Sequence, residues 1–144
     1  MFRVYCIDKN CAPKKAHYDD AGFDIKSIGE FLIKTGEVVQ VPCGFHMELP
    51  LGWVGLLYPR SGISTKHGIV LANTVGVIDS GYRGQIICAI KNIGPEDYKI
   101  EKYDRIAQLV ISQVCTLNYL PEVKNLKDLT ESFRGEGGFG HTGD

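Results

Sequence analysis

The sequence predicts an all-β protein that carries one short helix, and three observations support this prediction. Short apolar or alternating segments recur throughout the 144 residues, and turns containing glycine or proline separate them. Long amphipathic helical patterns are absent. Strands at this spacing are typical of a β-sandwich or β-barrel, and the length fits a single domain with a sizeable core.

The elements follow from alternation and turn residues, taken in order along the chain. The segments predicted to be strands are residues 2–6, 22–27, 30–33, 38–41, 45–49, 53–58, 69–71, 75–78, 85–90, 98–100 and 106–114. Glycine and proline at 42–44 are predicted to form a turn between two of these strands. Residues 75–78 and 85–90 are predicted to be the arms of one β-hairpin. Residues 61–66 are the one predicted helix, with Ser61 as its N-cap.

Composition excludes several classes of function. The formal net charge is −1, so general attraction to nucleic acid or to membrane surfaces is not expected. No signal peptide precedes the first strand, and no apolar stretch approaches the ~20 residues that span a bilayer. The five cysteines form no CxxC pair and are expected to be reduced thiols. We therefore expect a cytoplasmic protein (nuclear or host-cytoplasmic in a eukaryotic or viral setting) that is not secreted.

The stretch GVIDSGYRG, residues 76–84, carries the first group of candidate site residues. Asp79 and Tyr82 are three residues apart beside turn-forming Ser80 and Gly81. A carboxylate there can accept a proton from water, and the ring can pack against a flat ligand. A solvated surface turn is the commoner explanation for such a stretch when it is taken alone.

Three further motifs contain polar residues suited to phosphate or metal. In PRSG, Arg60 and Ser61 precede a helix and could bind an anion, although a simple capped turn is commoner. Asp24 interrupts the apolar strand AGFDI, either as an edge residue or as a group acting near Mg²⁺. In RIAQ, Gln108 lies within an apolar strand that begins after Arg105, and either a core hydrogen bond or a ligand contact would satisfy it.

The last stretch, RGEGGFGHTG at 134–143, is too rich in glycine to form a fixed structure alone. It is either a frayed tail or an arm that closes over a ligand with Arg134 and Phe139. We predict a core at residues 1–133 and a flexible arm at 134–144.

In five ordered motifs the chain resembles the trimeric dUTP pyrophosphatases (dUTPases). The motifs are AGFDI, PRSG, GVIDSGYRG, RIAQ and RGEGGFGHTG, and they span nearly the whole chain. The resemblance implies a β jelly roll that forms a homotrimer with active sites at subunit interfaces. One subunit would supply the 76–84 stretch, a neighbour the AGFDI, PRSG and RIAQ motifs, and the third the arm.

The resemblance also implies an activity: hydrolysis of dUTP to dUMP and pyrophosphate by attack of water on the α-phosphorus, with Mg²⁺ as cofactor. This reaction would keep uracil out of DNA and supply dUMP for dTMP synthesis. Asp79 would be the catalytic base, and Asp24 would act on the triphosphate-bound Mg²⁺ through water. Residues implied to bind substrate are Arg60, Ser61, Gly62, Asn73, Gly76, Val77, Tyr82, Gln108, Arg134, Phe139, Gly140 and Thr142.

Three positions depart from the family pattern, and two rival functions stay open. Tyr103 stands where glycine is common, His141 where serine is usual, and Phe23 where tyrosine or leucine is frequent; Arg83 is left as a structural residue. A dCTP deaminase of the same fold is one rival, which the intact 76–84 stretch and the Gly-rich arm disfavour. A regulatory protein that binds a partner through its nucleotide site is the other.

Overall fold

The computed structural model describes residues 1–136, which form two four-stranded antiparallel sheets packed on one core. The first sheet has the order β1 (Arg3–Cys6), β4 (Val38–Glu48), β8 (Gln85–Asn92), β6 (Ile69–Leu71). The second has the order β2 (Phe23–Lys26), β10 (Arg105–Gln113), β5 (Trp53–Pro59), β7 (Gly76–Ile78). Strands β3 (Phe31–Ile33) and β9 (Tyr98–Ile100) pair separately. The predicted all-β jelly roll with one short helix is confirmed.

The core lies between the inner faces of the two sheets. In β8 the side chains of Ile86, Cys88 and Ile90 are buried while their neighbours are more exposed, which is the alternation expected of a strand with one face inward. Phe45 of β4 and Ile25 of β2 are fully buried in the same cluster. Burial of this apolar surface drives the sheets together and sets which face of each strand carries polar groups.

The predicted turn at residues 42–44 is wrong, because β4 runs without interruption over eleven residues. The pairing of β4 with β8 shifts register between Pro42 and His46, so the extra residues form a bulge. Gly44 adopts φ 72°, and its carbonyl accepts hydrogen bonds from the backbone of Ile7 and Asp8. Glycine and proline here bend a strand instead of ending it.

The predicted hairpin of residues 75–78 and 85–90 is also wrong. Strand β7 pairs with β5, whereas β8 pairs with β4 and β6. Residues 79–84 therefore carry the chain from one sheet to the other. Two apolar arms around a short turn do not reveal whether the arms bond to each other or to different neighbours.

Helix α1 (Ser61–His67) begins one residue earlier than a Ser61 N-cap requires. Arg60 is the N-cap residue, and its side chain forms no capping hydrogen bond. The predicted N-cap role of Ser61 is therefore wrong. The helix ends at Gly68, which has φ 67° and whose amide donates to the Ser64 carbonyl. This is the usual left-handed end of a helix.

We expect Gly68→Ala to lower the free energy of unfolding by at least about 2 kcal/mol, since an L-residue is strained at positive φ and the added Cβ overpacks the site. That Cβ would lie 2.5 Å from the amide nitrogen of Gly94. Gly36→Ala is the matched control, because Gly36 has φ 82° with open space around it. Equal urea denaturation midpoints for the two variants would contradict this prediction.

All five cysteine thiols are free, and three of them are buried. The Sγ atoms of Cys43 and Cys88 are 3.5 Å apart across β4 and β8. Their hydrogen bond, together with burial, raises the pKa of the Cys43 thiol. Cys43 is therefore a packing residue and a poor nucleophile.

After β10 the described chain leaves the core. Residues 114–136 are almost entirely exposed and contain only a short 3-10 turn at Leu126–Asp128. The predicted boundary at residue 133 stays a prediction. None of the helices within residues 1–136 has the length and apolarity that a membrane span requires.

Candidate active site

A groove of about 510 Å³ opens at the end of the second sheet, where β2, β10 and the β5–α1 connection meet. The structure brings together here the residues predicted for phosphate and magnesium: Asp24, Arg60, Ser61, Gly62 and Gln108. Space around the Gly62 Cα is open, because an added Cβ would have no neighbour within 4 Å. The groove is thus suited to a polyphosphate, which guanidinium groups bind well.

Asp24 forms ion pairs with both arginines that line this groove. Its Oδ1 is 3.1 Å from Nε of Arg60, and its Oδ2 is 3.1 Å from Nη1 of Arg105. The Asp24 side chain is 20% exposed and that of Arg60 is 27% exposed, so this ion pair is only partly screened by water. β2 is an edge strand, which confirms the edge-residue explanation for this aspartate; its role near Mg²⁺ stays a prediction.

The described residues do not form a direct metal site. Among residues 1–136, no group of three or more histidine, cysteine, aspartate or glutamate side chains could hold a metal ion. Both oxygens of Asp24 already accept charged donors. Each carboxylate oxygen has a second lone pair, so Asp24 can still accept a hydrogen bond from a water bound to Mg²⁺.

The Gln108 side chain is positioned by one hydrogen bond to the backbone and packs close to Gly22. Its Nε2 donates to the Pro59 carbonyl at 3.0 Å, which ties β10 to the start of the PRSG motif. A Cβ at Gly22 would lie 2.9 Å from the Gln108 Oε1, so a larger residue at this position would displace the amide. The structure thus confirms a backbone hydrogen bond for Gln108 and leaves its ligand contact a prediction.

Arg105, His17 and Asp20 also line the groove, and no site role was predicted for them. Simple alternation puts Arg105 and Gln108, three residues apart, on opposite faces of a strand. A register shift between Arg105 and Ala107 brings both side chains to the same groove. The only sequence signal for Arg105 was its place in the RIAQ motif.

The loop at 79–84 presents Asp79 and Tyr82 at its surface. Asp79 is exposed, and its carboxylate has no hydrogen bond or ion pair within the part of the chain that the structure describes. The Tyr82 amide donates to the Asp79 carbonyl at 3.0 Å, and the Tyr82 hydroxyl donates to the Gln85 carbonyl at 2.9 Å. The Tyr82 ring packs so closely on Gly84 that a Cβ at that position would overlap it. The loop therefore leaves the Asp79 carboxylate accessible to water.

Arg83 stabilises this loop. Its Nη1 donates to the carbonyls of Ser80 and Tyr82 at 2.6 Å and 2.8 Å, and its Nη2 is 3.8 Å from Glu48. These contacts fit the interpretation of Arg83 as a structural residue.

The loop before β7 holds the residues predicted to read the base. Thr74 has φ 60°, and the Val75 amide donates to the Asn73 carbonyl at 2.6 Å. A Cβ on the buried Gly76 would meet the Asn73 Nδ2 at 3.4 Å, while Val77 is 61% exposed. Asn73 and Val77 are thus exposed on the stretch that leads into the 79–84 loop, whereas Gly76 faces inward.

The two groups of site residues are far apart within one chain. Gly76 pairs with Leu57 and Ile78, the last residue of β7, pairs with Gly55; continuing this register by one residue would set Asp79 opposite Val54. That position is six residues from Arg60 along β5, or about 20 Å at the rise of a strand. Within one chain, Asp79 and Arg60 thus lie towards opposite ends of β5.

The C-terminal predictions are mostly outside the described residues. Arg134 lies in a turn at 133–136. Phe139, Gly140 and Thr142, and the departure at His141, fall beyond residue 136. Their predicted contacts with the nucleotide stay predictions.

Comparisons with known proteins show to which family the chain belongs. The dUTPase family profile matches residues 8–143. The chain belongs to the dUTPase family. The deoxyuridine 5'-triphosphate nucleotidohydrolase of Clostridium acetobutylicum is 43% identical over 136 residues, which cover 94% of this chain and 91% of that protein. The corresponding protein of Clostridioides difficile is 40% identical, with 94% and 92% covered.

Solved dUTPase structures have the same fold. The dUTPase of Staphylococcus bacteriophage 80alpha with dUpNHpp superposes with a TM-score of 0.88 at 32% identity, covering 100% of this chain and 99% of that one. That protein is described among phage dUTPases that control transfer of virulence genes. A mutant dUTPase from phage phi11 of S. aureus, described with a coordinated structural Mg(II) ion, gives a TM-score of 0.80 at 28% identity, covering 88% and 99%.

The family departure at Tyr103 has a clear structural consequence. Tyr103 has φ 73°, a conformation that costs an L-residue roughly 1–2 kcal/mol. Its hydroxyl donates to Asp8 Oδ2 at 2.7 Å, and the Lys102 Nζ lies 4.8 Å from its ring centroid. The bulky ring therefore links the turn before Arg105 to the N-terminal segment.

The departure at Phe23 lies on β2, where the ring is half-buried beneath the Lys15 Nζ.

The hydrogen bond from Tyr103, followed by that from the Asn10 amide, lowers the pKa of Asp8. Because the folded pKa is lowered, the resulting stabilisation is present above the unfolded value of about 3.9 and is lost as pH falls through the folded value. We expect Tyr103→Phe to lower the urea midpoint at pH 7 and the difference from wild type to shrink below about pH 4. Tyr18→Phe is the control, since Tyr18 is 100% exposed. A difference that does not change with pH would contradict the assignment.

Proposed function

We propose that the protein hydrolyses dUTP to dUMP and pyrophosphate, with the water activated by Asp79 of one copy and the phosphates bound by the groove of another. The observation that carries the proposal is the groove in which Asp24 holds Arg60 and Arg105 beside Gln108. Membership of the dUTPase family supplies the substrate class. The same reaction removes dUTP and yields dUMP, which fits the predicted role in keeping uracil out of DNA and supplying dTMP synthesis.

In this mechanism the Asp79 carboxylate accepts a proton from water, whose oxygen forms the new bond to the α-phosphorus. The bond from that phosphorus to the bridging oxygen breaks, and pyrophosphate leaves with the electron pair. The guanidinium groups of Arg60 and Arg105 stabilise the charge that develops on the phosphates. Because Asp24 positions both groups in advance, little reorganisation accompanies the reaction. Mg²⁺ chelated by the triphosphate would neutralise further charge, with Asp24 contacting its water.

We assign base and sugar selection to Asn73, Gly76, Val77 and Tyr82, which lie on β7 and the two loops that flank it. The Tyr82 ring would stack under the deoxyribose and exclude a 2′-hydroxyl. Backbone groups near Asn73 would form hydrogen bonds with the edge of uracil. The methyl group of thymine would overlap the protein, and cytosine would place hydrogen-bond donors and acceptors against groups of the wrong kind. Arg134, Phe139, Gly140 and Thr142 are proposed to close over the bound nucleotide.

We further propose that the active unit is a homotrimer. The separation of Asp79 from Arg60 supports this, since a second copy can bring the two groups together. The exposed segment after β10 supports it too, because Leu117, Leu120 and Leu126 have no apolar cover within residues 1–136. Light scattering should give about three times the chain mass of 15.9 kDa. A stable monomer with full activity would overturn this proposal.

The activity is tested by pyrophosphate release from dUTP, UTP, dCTP and dTTP in the presence of Mg²⁺. We expect release from dUTP alone, and its suppression when EDTA removes the metal. Ammonia release from dCTP would instead identify a deaminase. No release from any nucleotide by folded wild type would overturn the proposed function.

A regulatory role in addition to catalysis is a second candidate function. The description of the 80alpha dUTPase favours it, since that protein superposes over the whole of this chain. The test is capture of partners by the immobilised protein with and without dUpNHpp. A partner that is retained in only one nucleotide state supports the role, and capture that does not change with nucleotide contradicts it.

A further inference from the structure

A second cleft of about 420 Å³ lies next to the phosphate groove. The basic cleft, as we call it, is lined chiefly by Lys14, Lys15, Lys26, Tyr103, Asp104 and Arg105. It shares Asp24 and Arg105 with the groove. The Arg105–Asp24 ion pair is thus the wall between the two spaces, and a phosphate chain can contact both.

The charge of this cleft is not balanced by its own carboxylates. Asp24 is already paired with two arginines, and Asp104 accepts a hydrogen bond from the Glu101 amide at 2.9 Å. The ammonium group of Lys26 contacts a neutral carbonyl, that of Asn10, at 3.2 Å. Within residues 1–136, the lysines of the cleft form no ion pair. Uncompensated positive charge in a concave site favours an anion.

The strand pairing concentrates this charge. Arg105 of β10 is directly opposite Lys26 of β2, and like charges facing each other across paired strands are destabilising. The backbone amide of Asp24 donates to the Lys14 carbonyl at 2.8 Å, which places Lys14 beside the same strand. A chain with formal net charge −1 therefore gathers four cations around one small cleft.

We propose that the basic cleft is a second polyphosphate subsite, continuous with the phosphate groove, which accepts pyrophosphate. This inference rests on the proposed function for the source of that anion, since hydrolysis of dUTP releases pyrophosphate in the adjoining groove. Lys14 and Lys26 bind the anion, and Arg105 contacts phosphates on both sides of the wall. The cleft gives the product a charged path away from the groove.

Isothermal titration of the full chain with sodium pyrophosphate at fixed ionic strength tests the subsite without turnover. Lys14→Gln combined with Lys26→Gln should weaken binding about tenfold or more, because two charge-assisted contacts are lost. Lys34→Gln with Lys66→Gln removes the same charge outside both cavities and should stay within about twofold of wild type. Lys14→Arg with Lys26→Arg should retain binding, which separates loss of charge from misfolding.

A parallel titration with dUpNHpp identifies the source of the anion. Weakened binding of both ligands assigns the cleft to terminal phosphates of the bound nucleotide as well as to free pyrophosphate. Weakened binding of pyrophosphate alone assigns it to the product. Pyrophosphate binding that is equal in the glutamine pair and its control would overturn the subsite. The wild-type protein could bind pyrophosphate through these lysines and yet fail to hydrolyse dUTP. That result would overturn the proposed function, but the subsite proposal would stand.

Discussion

Replacing Asp79 by asparagine is expected to lower dUTP turnover by about 10²- to 10⁴-fold, the usual contribution of a positioned general base. The amide has nearly the same shape but does not accept the proton of water. The Asp79 side chain forms no hydrogen bond or ion pair within residues 1–136, so its replacement should not disturb the 79–84 loop. Binding of dUpNHpp should stay within a few-fold of wild type, and the loss should therefore be in kcat.

Asp97→Asn is the matched control for this substitution. Asp97 accepts a hydrogen bond from the Thr35 amide at 3.0 Å, and the asparagine oxygen can accept the same bond. Its turnover should equal that of wild type. Turnover that survives in the Asp79 variant would place the proton acceptor elsewhere. Loss of dUpNHpp binding along with turnover would make Asp79 a binding residue.

Mixing two inactive variants is expected to restore activity. Asp79→Asn lacks a working loop, and Arg60→Ala lacks a working groove, yet each retains what the other has lost. If each site takes its loop from one copy and its groove from another, random co-refolded trimers should recover about one quarter of wild-type turnover. The physical reason is the separation of Asp79 and Arg60 along β5.

The control mixes the Asp79→Asn variant with a chain that carries both substitutions. No copy in that mixture has a working loop, so activity should stay at the level of the single variant. Circular dichroism of Arg60→Ala should show an intact fold, because Asp24 retains its ion pair with Arg105. Absence of recovery in a mixture that exchanges subunits would show that each site is built within one chain.

The strands were predictable because one inward face per strand leaves a period of two in the sequence. The predicted segments 69–71 and 98–100 match β6 and β9. The failures at 42–44 and at 75–90 have one cause. Glycine and proline indicate that the backbone bends, but the partner strand decides whether the bend is a bulge, a hairpin or a passage between sheets.

The candidate site was predictable where its residues lie in contiguous motifs. Asp24, Arg60 and Gln108 belong to three motifs, and the structure places them in one groove. The ion pairs of Asp24 could not be predicted, because they depend on antiparallel pairing between residues that are distant in sequence. Arg105 was missed because a bulge in β10 overrides the alternation of the strand.

The all-β class, the order of the motifs and the family resemblance can be read from the amino-acid sequence, since local patterns and residue types carry all three. The ion pairs of Asp24 with two arginines, the basic cleft beside the phosphate groove and the separation of Asp79 from Arg60 emerge only when the chain is folded. Each of these depends on which strands pair and in which register. Pairing is settled by burial and hydrogen bonding over the whole chain, which no single segment encodes.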